Sequence, residues 1–187
     1  MTLENTAIGY WIFSLLAALW IMIPAYVPNS AAAALGGGTP IDFGKVCSDG
    51  RRVFGDGKTY RGFFGGVLCG ILAGLVEIWA WSSFNLTALP RQTLLSVTLL
   101  AAGALLGDLA KSFLKRRLGK ERGESWPIAD QYDLVIGSFL LMLLIYPQWL
   151  FENITLPIAV WIVIITPLLH RVVNIIGYYI GVKEVPW

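Results

Sequence analysis

Five runs of apolar residues, separated by polar stretches of very unequal length, set the pattern of this chain. They cover about 7–27, 63–84, 94–111, 134–150 and 154–180. Each comes close to or exceeds the ~20 residues a helix needs to cross ~30 Å of hydrocarbon. The third is slightly short and is expected to continue through Lys111–Leu114 at the interface. The fifth is long and carries Pro157 and Pro167, so it is expected to tilt, kink or protrude from the bilayer. Pro24, Pro28 and Asn29 are expected to end the first span. The flank Met1–Asn5 has no positive charge, and the apolar run behind it outlasts a signal-peptide core. That segment is therefore expected to be a retained span. The pattern predicts an all-α integral membrane protein, one domain over 1–187, with two long polar loops at about 28–62 and 112–133.

Composition excludes the soluble alternative. Of 187 residues, 56% are hydrophobic and 14% charged, and the mean hydropathy is +0.66. Soluble domains average about 45–50% apolar and roughly 25% charged residues. The net charge of +2 hides a lopsided distribution. One loop holds Lys45, Arg51, Arg52, Lys58 and Arg61, and the other Lys111, Lys115, Arg116, Arg117, Lys120 and Arg122. The intervening turns on the other side hold only Arg91. By the positive-inside rule both basic loops are cytoplasmic, the N-terminus is outside and the C-terminus inside. The glycosylation-type triplets at Asn85 and Asn153 then fall outside. Cys47 and Cys69 form no CxxC spacing, and the single histidine, His170, excludes a multi-histidine metal cage.

The chemistry-bearing residues gather at span ends. Asp108, Ser112 and Lys115 fall at helical spacing on one face, with Lys111 beside them. An acid at the end of a membrane helix needs a partner, water or a metal. Asp130 and Asp133 follow the basic loop, three residues apart. Capping the fourth helix accounts for Asp130 but not for Asp133, one turn further in. Two carboxylates at that spacing repel unless a cation lies between them. Asp108, Asp130 and Asp133 are therefore candidate ligands for Mg²⁺, an ion that favours carboxylate, phosphate and water oxygens. Lys115-Arg116 and Lys120 are candidate phosphate contacts, whereas Arg117 and Arg122 fit an anchor on anionic lipid.

The first loop holds eight glycines between Gly36 and Gly62, which lets backbone amides approach a ligand. Gly57-Lys58-Thr59 is not a Walker loop, because Arg52 stands where the first glycine is required and no strand precedes it. It can still hold phosphate through glycine amides, Lys58 and Thr59. Asn29 and Asp42 are further nucleotide candidates. His170, Arg171 and Asn174 lie near the cytoplasmic third of the fifth span and are candidates for an anionic headgroup. Glu77, deep in the second span, has no evident partner.

Gly107-Asp108-Leu109, Ser112, Leu114-Lys115-Arg116, Lys120-Glu121, Gly123, Pro127 and Asp130-Gln131-Tyr132-Asp133 resemble the carboxy-terminal signature of the CDP-diacylglycerol synthase (phosphatidate cytidylyltransferase) family. Lys58-Thr59-x-Arg61-Gly62 resembles an upstream element of the same family. Glu121, Gln131 and Arg61 depart from its pattern, and a His-Gly-Gly element is missing. With the glycine-rich first loop and His170-Arg171-x-x-Asn174, the chain resembles that family's archaeal branch, the CDP-archaeol synthases. The resemblance implies transfer of CMP from CTP to 2,3-bis-O-geranylgeranyl-sn-glycerol 1-phosphate in phospholipid biosynthesis, with Mg²⁺ as cofactor and the bilayer as setting. It implies metal-binding Asp108, Asp130 and Asp133, catalytic Asp108, Asp133, Lys115 and Lys58, and phosphate contacts from Lys58, Thr59, Arg61, Lys111, Ser112, Lys115, Arg116 and Lys120. No nucleic-acid partner is expected. The alternatives are a phosphatidate-type enzyme, a CDP-alcohol phosphotransferase, whose motif is missing here, and a lipid-binding or transport protein without catalysis.

Overall fold

The computed structural model describes residues 7–183 together with Val185 and Pro186. The flank Met1–Asn5, which holds no Lys or Arg, and Trp187 lie outside the described residues. The chain forms α1 (Ala7–Leu35), α2 (Tyr60–Ser83), α3 (Leu94–Arg117), α4 (Pro127–Ile145), a short α5 (Pro147–Asn153) and α6 (Leu156–Tyr179). All but α5 are long and apolar enough to cross a membrane. Among the described residues there is no strand, only two isolated antiparallel bridges in the first loop.

Two expected boundaries are corrected. The first span does not end at Pro24–Asn29: α1 runs on to Leu35, with both prolines inside it. At 29 residues it is about 43 Å long, so its last turns project past the hydrocarbon. It tolerates the prolines because α2 presses a bare backbone against them. Gly62, Gly66, Gly70 and Gly74 are all buried along one face of α2. A Cβ at Gly70 would sit 2.7 Å from the Pro24 carbonyl oxygen and 2.6 Å from Pro28 Cγ. That carbonyl lost its helical partner because Pro28 has no N–H. The fourth span also differs: α4 starts at Pro127 rather than near Leu134 and ends at Ile145 rather than Leu150. Proline favours the first helical turn and disfavours continuation before it, so Pro127 opens α4 and Pro147 closes it off. Asp130 and Asp133 therefore lie within α4, and the second polar loop shrinks to 118–126.

The third span behaves as expected and continues through Lys111–Leu114 to Arg117. It crosses α4 at backbone contact, in the manner of small residues spaced four apart in membrane helices. A Cβ at Gly103 would sit 2.5 Å from Ser138 Cα, one at Gly137 would sit 2.7 Å from Gly107 Cα, and one at Gly107 would overlap the Asp133 carbonyl oxygen. Ser138 adds a buried bond, its hydroxyl donating to the Leu100 carbonyl at 2.8 Å.

Pro167 lies inside α6, which leaves the Val163 carbonyl without its usual donor. The Tyr132 hydroxyl donates to it at 2.8 Å, so α4 repairs the break in α6. The core between these helices holds Ile21, Met22, Leu100, Met142 and Ile162, all fully buried. Leu72, Val76, Leu144 and Leu168 point outward, as side chains facing lipid do. At the end remote from the basic loops, three indole N–H groups hold the 84–93 turn. Trp20 donates to Pro90, Trp81 to Leu89 and Trp149 to Arg91, each at 3.0 Å.

Candidate active site

The first loop is built around Asp42. Its carboxylate accepts from the N–H groups of Gly44, Phe54 and Gly55 at 2.9–3.1 Å, and Arg52 donates to it at 2.6 Å. Burial opposes the charge, but Arg52 and the three amides outweigh it and hold this carboxyl well below its usual range. The loop base closes where Ile41 N–H donates to the Lys58 carbonyl and Tyr60 N–H to that of Thr39. Arg117 ties the loop to α3 by donating to Asp49 at 2.7 Å and to the Arg52 carbonyl at 2.6 Å. Arg51 donates back to the Arg117 carbonyl at 3.0 Å. The two basic loops thus form one body, and Arg117, for which a lipid anchor is one reading of the sequence, is a staple within it.

Because the folded Asp42 carboxyl is depressed, its contribution is complete above the ordinary value of ~3.9 and is lost only as pH falls through the lower folded value. Asp42→Asn is expected to raise amide exchange at Phe54 and Gly55 roughly tenfold at neutral pH, the loss of one charge-assisted bond. The parent protein, corrected for intrinsic exchange, is expected to loosen there only well below pH 4. Equal protection in both proteins at neutral pH would sink this assignment.

The loop sets Lys58 and Thr59 at the start of α2, where the Thr59 hydroxyl caps the helix by accepting from Gly62 N–H at 3.1 Å. Lys58 Nζ pairs with Asp108 Oδ2 across the gap to α3. Lys111 Nζ is the centre of the cluster: it lies 3.1 Å from Asp108 Oδ1, 3.3 Å from Asp130 Oδ1 and 2.6 Å from Asp133 Oδ2. Lys115 reaches Asp130 at 2.7 Å and donates to the Glu124 carbonyl at 2.7 Å. The Gly103–Gly107–Gly137 crossing brings the α3 and α4 groups this close.

The three carboxylates do converge, but on an ammonium. Among the described residues no group of three or more acidic, histidine or cysteine side chains is disposed around a metal position. One atom remains open to further coordination. Asp133 Oδ2, on a side chain 2% exposed, is close enough to Lys111 for an ion pair yet has no aligned hydrogen bond among the described residues. Mg²⁺ needs only one or two carboxylates besides phosphate and water, so the donor set suits it in kind. Asp130 is not an N-cap as a simple capping role requires. From within the first turn of α4 it reaches back to accept from Trp126 N–H at 2.7 Å.

The cluster opens on a chamber of about 260 Å³ lined by Lys58, Thr59, Asp108, Lys111, Lys115 and Asp130. An adjoining space of about 450 Å³ adds Ser112, Arg116 and Gly36–Gly37. Asn29 also faces the chamber, its Oδ1 buried without a hydrogen-bond partner among the described residues, and His170 lines its far side. Other expected residues stand apart. Asp42 is occupied inside its loop, Arg61 is exposed in the first turn of α2, and Arg171 is exposed on the outer face of α6. Lys120 is engaged by Glu124 at 2.6 Å. Asn174 is buried and directs its amide to the His170 ring at 3.3 Å. Glu77 is buried with both oxygens unpartnered among the described residues.

Sequence reasoning missed Lys183, which lines both spaces and donates to Asn174 Oδ1. The available signal was a lone cation in an otherwise sparsely charged tail.

Comparison with known proteins returns a single answer. Residues 11–187 match the family model described as CarS-like: CDP-archaeol synthase. A CDP-archaeol synthase of Methanoculleus marisnigri is 81% identical over 166 residues, covering 89% of this chain and all of the relative. Those of Methanoregula boonei and Methanosarcina mazei are 63% and 50% identical, with the same coverage. A solved structure of an intramembrane enzyme for archaeal membrane lipid biosynthesis is 36% identical. It superposes with a TM-score of 0.70 over 86% of this chain and 94% of its own.

Proposed function

The chain belongs to the CDP-archaeol synthase family, and from that premise we propose that it transfers CMP from CTP to the phosphate of an isoprenoid ether lipid. The acceptor on this reading is 2,3-bis-O-geranylgeranyl-sn-glycerol 1-phosphate, and the products are CDP-archaeol and pyrophosphate. The observation that carries the reading is the chamber itself: three acids and Lys58, Lys111 and Lys115 meet at one end of the bundle, beside an apolar cavity.

The chamber's amines hold phosphate oxygens by charge-assisted bonds, with Lys58 at the α2 N-terminus, where anions are favoured. An oxygen of the lipid phosphate forms a bond to the α-phosphorus of CTP as the bond to the bridging oxygen breaks, and that oxygen leaves with its electron pair on pyrophosphate. A phosphate monoester is already ionised at neutral pH, so no strong base is needed. That agrees with a cluster holding no histidine beside its acids. Asp108 and Asp133, with Asp130 behind Lys115, would hold Mg²⁺, which when bound neutralises triphosphate charge. The site faces the cytoplasm on this reading, since the basic loops that form its roof carry the positive-inside bias.

The test is pyrophosphate release by the detergent-solubilised protein from CTP and archaetidate or phosphatidate, with and without EDTA. Metal-dependent release with a preference for the ether lipid is expected. Absence of turnover on both lipids would overturn the proposal.

A further inference from the structure

A second, mainly apolar cavity of about 250 Å³ lies between α1, α4 and α6, lined by Tyr26, Leu134, Thr166, Leu169 and Val173. It shares three residues with the charged chamber: Asn29, His170 and Lys183. Any amphiphile with its chain in the apolar cavity and its head in the chamber must pass its headgroup between these three. Only Lys183 among them carries a full positive charge. The chain is bent to put it there. After α6, Gly181 takes a left-handed φ of +75°, and the N–H groups of Val182 and Lys183 both donate to the Gly177 carbonyl at 2.9 and 3.0 Å. The Lys183 stem then lies over Gly177, 3.3 Å from where a Cβ would be. Val185 continues across to Gly123 of the second loop, 3.8 Å from its Cβ position. Asn174, steadied against His170, accepts from the Lys183 ammonium.

We propose that Lys183 is the anchor for the phosphate monoester of the lipid substrate, held at the junction of the two cavities by Asn174 and by the strap that folds back over Gly177. This rests on the cytidylyl-transfer reading above and assigns its acceptor subsite. Burial, together with Lys111 and Lys58, lowers the Lys183 ammonium's pKa against the pull of Asp108, so an incoming dianion favours its charged form. Nucleotide phosphate is the competing source of the same chemistry, and the two are separated by kinetics.

Lys183→Met keeps the stem and removes the charge. Expected is a rise in KM for the lipid phosphate of roughly ten- to a hundredfold, the effect of one charge-assisted bond. KM for CTP is expected to stay within about twofold and Lys183→Arg to recover much of the loss, consistent with a charge contact. Gly177→Val, which leaves the lysine in place but displaces its stem, is expected to raise the same constant. A rise in KM for CTP instead, or no change in either constant, would overturn the assignment. An inactive parent protein would count against the reaction class, whereas an active parent with an unaffected variant counts only against Lys183.

Discussion

Lys111→Met is expected to lower the melting temperature by on the order of 10 °C and to make what stability remains depend on divalent cation. Lys111 Nζ is within 3.3 Å of oxygens from Asp108, Asp130 and Asp133, and its side chain is 14% exposed. Removing the cation leaves Asp133 without the lysine it faces, beside Asp108 and Asp130, which keep only Lys58 and Lys115, with little water to screen the three. Breaking a buried pair by removing one partner costs about 3–5 kcal/mol. For a chain of this size each kcal/mol corresponds to roughly 2–4 °C. Mg²⁺ is the substitute charge that fits oxygen donors, so millimolar Mg²⁺ should restore much of the loss in the variant while moving the parent far less. Thermal melts of both proteins with EDTA and with Mg²⁺ decide the matter. A variant that melts like its parent in EDTA would show that the acids do not depend on Lys111.

The second large effect comes from a residue with no chemistry of its own. Gly107→Ala is expected to reduce kcat/KM by about a hundredfold or more, since a shift of ~1 Å in catalytic groups is enough for that. The new methyl would overlap the Asp133 carbonyl oxygen and crowd Gly137 Cα at 3.1 Å. Both are backbone atoms that no rotamer change can clear, so α4 must move and carry Asp130 and Asp133 away from Asp108. Gly65→Ala is the control: its methyl would meet only the Leu35 side chain, at 3.0 Å from Cδ1, and activity should be retained. Near-parental kcat/KM in Gly107→Ala would refute the claim that this crossing sets the site's spacing.

The five spans and the clustering of acids with lysines were legible because each follows from local pattern: apolar length for the spans, helical spacing for Asp108 and Lys111. What went unread depended on contacts between distant segments. Proline inside α1 looked like a terminus, since sequence does not reveal that the glycine face of α2 receives the freed Pro24 carbonyl. Pro127 was legible as a helix starter in principle, but the polar residues behind it masked the first turns of α4. Three acids pointed to a metal, and the structure places the amine of Lys111 at their meeting point. Arg171 shares a helix with His170 and Asn174 but looks outward, which the three-residue pattern alone did not separate. Lys183 carried no motif and became visible only through the reversal at Gly181.

The bare crossing of α3 and α4 also bears on how the protein meets bilayers of different thickness. Membrane helices answer hydrophobic mismatch chiefly by tilting, and helices that touch through long side chains can tilt separately and slide past one another. Here Gly103, Gly107 and Gly137 leave no side-chain cushion at the contact, so the two helices tilt as one rod. A thicker or thinner membrane changes the angle of that rod, while the interval between Asp108 and Asp133 stays fixed.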